Sequence, residues 1–270
     1  VTFRATTRSA IVFGALIALT LTGCTAAPAG SSPSATPSVT PAPVVTASAS
    51  ASASASPSAS PPPTASGFDK SKLSINDASS LWVVVNKTRQ LNPKNYAPSD
   101  LVSVPVPAVY APRLRKVASD AVVKMFADYT AQTGLKMQSQ SAYRSYPSQV
   151  SVYNGWVSSL GQKGADATSA RPGFSEHQTG LAIDISALPN KCALSACFAD
   201  TPQGKWLAAN AWKYGFILRY PKGYTDVTGY EFEPWHYRYI GLSAAKEYHA
   251  EGATTLEQFF GLPDSPDYAK

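Results

Sequence analysis

The hydrophobic pattern divides the chain into stretches of different kinds. From Pro112 to Thr133 the apolar positions Leu114, Val117, Ala118, Ala121, Val122, Met125, Phe126 and Tyr129 recur at helical spacing. This predicts a helix of about six turns, stopped by Gly134. Leu135 to Tyr143 alternates in the manner of a strand, and Pro147 to Leu160 predicts a second helix after the turn Ser145-Tyr146-Pro147, with a loop from Gly161 to Pro172. Further along, Leu181 to Ile185 is a short apolar strand carrying one acid. Gln203 to Tyr214 is a helix capped by Gly215, Phe216 to Tyr220 a strand, and Glu233 to Ile240 a strand with a turn. A short helix follows from Ser243 to Ala250. Upstream, Leu81 to Val85 reads as a β segment, and Asn92 to Pro98 as loop. Helices and strands mix without a βαβ rhythm, so the expected class is α+β, with a small mixed sheet flanked by helices.

The first 66 residues lack any such periodicity. Residues 1 to 23 carry Arg4 and Arg8, then the apolar run Ala10 to Thr22, which has the layout of an export signal and is short for a bilayer span of roughly 20 apolar residues. Leu21-Thr22-Gly23-Cys24 resembles the lipobox of bacterial lipoproteins, which implies a lipid on Cys24 and attachment to the outer face of a membrane. Residues 24 to 66 are almost wholly Ala, Ser, Pro and Thr, with too little apolar surface to offset the entropy of ordering, and read as a disordered tether. Residues 67 to 270 then form one folded domain. The expected place is extracytoplasmic, facing the cell wall.

Net charge is +6, and Arg4 and Arg8 are the only charged residues before position 67, which leaves +4 on the folded part. That excess is mild, and with no Lys/Arg block it gives no reason to expect nucleic acid. With Cys24 lipidated, Cys192 and Cys197 remain as a pair, and in an oxidising compartment a disulfide is expected. A cysteine metal site lacks the second pair that would complete it.

The whole sequence has three histidines, His177, His236 and His249, and two of them sit beside acids. In Ser175-Glu176-His177-Gln178-Thr179-Gly180-Leu181-Ala182-Ile183-Asp184, a carboxylate inside an apolar strand needs a cation, and His177 reaches the same point if the chain folds back at Gly180. In Glu233-Pro234-Trp235-His236-Tyr237, the acid and the imidazole share a site only if Pro234 bends the strand. Together these offer three ligands and a spare carboxylate, as in a catalytic zinc centre with one open position. Spacing alone leaves ordinary hydrogen-bonding roles for the same side chains equally open.

The pattern Ser175-x-His177-x-x-Gly180-x-Ala182-x-Asp184, followed by Glu233-Pro234-Trp235-His236, resembles the paired signature of the VanY-like D-alanyl-D-alanine carboxypeptidases among the LAS metallopeptidases. Val85-Asn86-Lys87, Tyr143-Arg144-Ser145 with Gln149, Ala170-Arg171-Pro172-Gly173 and Leu218-Arg219-Tyr220-Pro221 fit the same group. The resemblance spans roughly residues 80 to 250 and implies the LAS/Hedgehog-type zinc peptidase fold. It implies zinc on His177, Asp184 and His236, Glu233 as catalytic acid/base, and Arg144 on the reacting carbonyl or the substrate carboxylate. It also implies substrate contacts at Ser175, Gln149 and Tyr220. His249 has no place in the signature, and Trp235 is expected to pack beneath the site.

The implied substrate is a peptidoglycan stem peptide losing its terminal D-Ala, with the enzyme acting as a monomer. The same site would serve an L,D-carboxypeptidase or an endopeptidase on wall peptides. The Hedgehog amino-terminal domain, which has this architecture, makes a non-catalytic wall-binding module the alternative of a different class. The presence of Glu233 speaks against that alternative, and the absence of a Gly-x-Ser-x-Gly elbow speaks against a serine hydrolase.

Overall fold

The structure is a computed structural model that describes residues 68 to 269. The expected signal at 1 to 23, the lipid site Cys24 and the tether at 24 to 66 lie outside the described residues. Among those described, no helix is long and apolar enough to cross a membrane.

Four strands form the central sheet: β3 (Lys136–Ser141), β4 (Ala182–Leu188), β5 (Phe216–Leu218) and β6 (His236–Tyr239), in the order β3-β4-β6-β5. Every neighbouring pair is antiparallel, so the mixed sheet expected from sequence is corrected to an antiparallel one. A two-stranded antiparallel ribbon of β1 (Leu101–Ser103) and β2 (Arg113–Arg115) lies outside it.

The long helix α1 spans Lys116–Thr133 and ends at Gly134 in the left-handed conformation. It starts later than the periodicity predicted because residues 113 to 115 pair with β1, and Val117 is left exposed. Its buried positions, Ala118, Val122, Met125, Phe126 and Tyr129, pack on Ile183, Ile185 and Tyr237 of the sheet. Because side chains alternate along a strand, Asp184 and His236 point to the opposite face.

Helix α2 (Tyr146–Thr168) begins with Ser145 as its cap, whose hydroxyl accepts from the Ser148 amide at 3.3 Å. It runs past the predicted end at Leu160. Gly161, at φ 69° and ψ 169°, kinks the chain and a further helical stretch reaches Thr168 where a loop was expected. Helix α3 (Pro202–Asn210) continues as a 3-10 turn to Tyr214, closed by Gly215 as the sequence suggested. After the single-turn α4 (Thr225–Thr228) and strand β6 come α5 (Leu242–Ala250) and α6 (Leu256–Phe259), which build a second apolar cluster with Ile217 and Ile240.

The expected strand at 81 to 85 is not one. The carbonyls of Leu81 and Val83 accept from the Arg238 guanidinium at 3.1 and 2.8 Å, so a buried side chain takes the place of a strand partner. Arg219, Arg238, Glu176 and Glu257 are all fully buried and linked to one another by ion pairs. Glu257 accepts from Arg219 at 2.7 and 3.0 Å and from Asn86 at 2.9 Å.

Cys192 and Cys197 are joined, with Cα atoms 5.6 Å apart, closing a loop only five residues long in sequence separation. The entropic stabilisation from so short a loop is small.

This packing sets how stability should respond to substitution. Glu257→Gln leaves a buried guanidinium undercompensated and should cost about 3 kcal/mol in urea unfolding at pH 7. Burial works against the charged Glu257 carboxylate, but Arg219 outweighs it and holds the carboxyl below its ordinary value. The stability tied to that charge is therefore complete above the unfolded pKa of about 4.3 and is lost as pH falls through the folded one. The gap between variant and wild type should accordingly narrow in acid. Replacing both Cys192 and Cys197 with serine should shift the unfolding midpoint far less than Glu257→Gln does.

Candidate active site

Three ligand-type side chains from three elements meet in one place. His177 sits in a 3-10 turn, Glu176–Thr179, that Gly180 closes at φ 66°. A Cβ there would lie 2.8 Å from Leu101 Cδ2, so both the backbone conformation and the space demand glycine. Asp184 and His236 are direct register partners on β4 and β6. The bend that the sequence required at Pro234 is a turn closed by the His236 amide donating to the Glu233 carbonyl at 3.1 Å. It brings Glu233 Oε2 to 3.6 Å from His236 Nδ1.

The donor atoms of His177, Asp184 and His236 all lie within 4.8 Å of one another, and all three residues are buried. Nε2 of His177 is 3.3 Å from Asp184 Oδ2, and Nδ1 of His236 is 3.3 Å from Asp184 Oδ1. A carbonyl oxygen only accepts, so the 2.7 Å contact to Ala142 O fixes the proton of His177 on Nδ1 and leaves Nε2 with its lone pair toward the cluster. Asp184 Oδ1 is buried yet accepts no hydrogen bond. An orphaned carboxylate oxygen beside two imidazoles is the donor set a divalent cation such as zinc takes.

The electrostatics agree. Burial opposes charge on Asp184, but the two histidines outweigh it and hold the carboxyl well below its ordinary range. Burial also lowers His177, favouring the neutral ring that a metal needs. His236 goes the other way: against burial, the carboxylates of Asp184, Glu176 and Glu233 around it raise it to about 9. Burial, with Asp184 nearby, pushes Glu233 up to about 8. Carboxylates thus outweigh cations around His236, and the site draws positive charge.

A cavity of about 560 Å³ opens onto this cluster. Arg144, Ser175, Tyr220 and Glu233 line it together with His177, Asp184 and His236. Gln149, expected at the substrate, does not line the cavity. It is fully buried, accepts from Arg144 Nη1 at 2.9 Å and donates to the Ala170 carbonyl at 2.7 Å. With Ser141 Oγ on Nη2 at 3.0 Å, it aims the Arg144 guanidinium.

Trp235 packs against the main core and also touches the cavity. The disulfide loop contributes Leu194, Ser195 and Ala196 to the rim, with Trp156 of α2 also part of it, and both large apolar side chains are substantially exposed. His249 lies away from the site, stacked on Trp212 at 4.1 Å.

The sequence assigned no role to Glu176, Arg219, Arg238 or Glu257. Glu176 Oε2 is 3.3 Å from His236 Nε2, and its Oε1 accepts from Arg219 Nε at 2.8 Å and Arg238 Nη1 at 2.9 Å. The available signal was an arginine between Leu218 and Tyr220 and another between Tyr237 and Tyr239, charges set in otherwise apolar strands.

The family model described as VanY, D-alanyl-D-alanine carboxypeptidase, matches residues 111–242. The protein of Bacillus subtilis (strain 168) named Putative carboxypeptidase YodJ is 43% identical over 192 residues, covering 69% of each chain. Among solved structures, the LD-carboxypeptidase LdcB is 43% identical with a TM-score of 0.63, covering 69% of this chain and 88% of that one. A mutant of the vancomycin-resistance D,D-pentapeptidase VanY, in complex with Zn(II), is 28% identical with a TM-score of 0.54, covering 68% of this chain and 99% of that one. With its α+β fold and the converging His/Asp/His cluster, this chain belongs to the VanY family of carboxypeptidases.

Proposed function

We propose that this protein is a zinc carboxypeptidase that releases the terminal D-Ala from peptidoglycan stem peptides, with His177, Asp184 and His236 holding the metal. The observation that carries this reading is the orphaned Asp184 Oδ1 amid two imidazoles, with Glu233 3.6 Å from one of them, at the wall of a cavity large enough for a peptide end. Zinc, when bound, supplies Lewis-acid polarisation and an activated water near neutral pH.

The protein's own groups do the rest. Glu233, whose carboxyl is pushed up to about 8 by burial, is suited to hold a proton at its carboxylate and pass it to the leaving amine. Arg144, held by Gln149 and Ser141, presents positive charge where negative charge develops on the scissile carbonyl or sits on the terminal carboxylate. Ser175 and Tyr220 offer hydroxyls along the same wall for orienting the peptide. Trp156 and Leu194 give the cavity an apolar rim against which a peptide can pack.

Two bonds end in D-Ala, and the family description supports the D-Ala–D-Ala bond of a pentapeptide. A second reading, the L,D bond of a tetrapeptide, is favoured by one observation: LdcB is 43% identical with a TM-score of 0.63, against 28% and 0.54 for the D,D-pentapeptidase. We infer further that the domain works outside the membrane, attached through a lipid on Cys24 and held at reach by residues 24 to 66.

Zinc-loaded protein should release one D-Ala from stem tetrapeptide, stem pentapeptide or both, as followed by product mass. The substrate that turns over fixes the bond, and cleavage of neither would remove the carboxypeptidase reading. Chelation should abolish release and added zinc restore it. Glu233→Ala should lower kcat by roughly 10²- to 10⁴-fold. Arg144→Ala should lower kcat/KM by about 10²- to 10³-fold, with the fold unchanged by circular dichroism.

A further inference from the structure

We propose that Glu176 is a positioning residue that selects the tautomer of His236, so that Nδ1 of that ring, and not Nε2, is the nitrogen offered to the metal. The proposal rests on the metal-centre reading above and adds a residue to it.

Donors and acceptors around the ring decide which nitrogen is free. His236 faces carboxylates on both sides: Nδ1 looks toward Asp184 and Glu233, and Nε2 is 3.3 Å from Glu176 Oε2. Glu176 is fully buried, and its Oε1 is occupied by Arg219 and Arg238. Both guanidiniums are donors only and both are fully buried. Held at Oε1 by these two donors, Glu176 presents Oε2 to the imidazole as the acceptor. Nε2 then keeps a hydrogen held by Glu176, so a metal that displaces the ring's other proton would meet Nδ1, the nitrogen that faces Asp184.

His177 is set by the same logic in mirror image, since its Nδ1 hydrogen goes to the Ala142 carbonyl and its Nε2 faces the cluster. Each ring thus has one nitrogen fixed by an acceptor behind it. For His177 that acceptor is backbone and cannot be mutated away. For His236 it is a side chain, which makes the device testable.

Glu176→Gln is nearly isosteric but reverses the hydrogen bond. Its amide oxygen must stay on the two arginines, which offer only donors, so its amide nitrogen turns toward Nε2. The ring is then driven to carry its hydrogen on Nδ1, where the metal would sit. Glu257→Gln is the matched control: it removes one charge from the same buried group, through Arg219, without touching His236.

Zinc affinity of the purified protein, measured by competition with a chromophoric chelator, should fall about 10- to 100-fold in Glu176→Gln. It should stay at the wild-type value in Glu257→Gln, although both variants lose stability in urea. Nitrogen-15 NMR of zinc-loaded wild type, which needs no variant to fold, should place the His236 hydrogen on Nε2. Wild-type affinity in Glu176→Gln, an equal loss in Glu257→Gln, or a hydrogen found on Nδ1 would each overturn the proposal. Failure of the wild-type protein to bind zinc would instead overturn the metal-centre reading beneath it.

Discussion

Two guanidiniums and two carboxylates without solvent contact, Arg219, Arg238, Glu176 and Glu257, sit directly behind His236. Charges taken out of water are tolerated only when each is matched and its remaining hydrogen bonds are made. Much of the periphery is arranged to meet that condition. The irregular segment at 81 to 85 gives its carbonyls to Arg238, Asn86 reaches Glu257, and α6 delivers Glu257 from the far end of the domain. Segments beyond the family-matched residues 111–242 are therefore wired to the ring that faces the cavity. Hydrophobic residues of similar volume would serve stability as well as such a cluster does. The ion cluster supplies a fixed acceptor behind the imidazole, which an apolar core would not.

The sheet divides the labour. Alternation along β4 and β6 sends Ile183, Ile185 and Tyr237 into the core under α1 and sends Asp184 and His236 to the other face. Antiparallel register sets those two residues directly opposite each other, so the separation of their backbones is fixed by hydrogen bonds of the sheet. His177 joins them through the tight turn at Gly180, and Glu233 through the turn at Pro234 and Trp235. Strands thus place Asp184 and His236, while turns place His177 and Glu233.

At Gln149, role and position come apart. A glutamine near an arginine at the cavity wall is equally suited to face a substrate or to brace the arginine, and sequence offers no means of choosing. In the structure the side chain is buried, with its amide on Arg144, Ser169 and the Ala170 carbonyl. The loop closed by Cys192 and Cys197 is the converse case, a feature outside the signature that contributes to the rim of the cavity.

Periodicity, local spacing and turn chemistry were legible without a structure because each depends on residues near in sequence. They located α1, α3, β3 and β4, the need for a bend at Pro234, and the acid in an apolar strand that asks for a cation. The beginning of α1 at Lys116, the irregular course of 81 to 85, and the antiparallel sense of the whole sheet were decided by partners distant in the chain. Glu176 was hidden for the same reason. A glutamate between a serine and a histidine reads as one more polar residue, and only tertiary structure puts two arginines, from 43 and 62 positions away, on one oxygen and an imidazole on the other. The sequence by itself determined which side chains are able to bind a metal and move a proton. Tertiary structure decided which nitrogen of His236 faces the cluster, because hydrogen-bond direction depends on what lies behind the ring, and that comes from elsewhere in the chain.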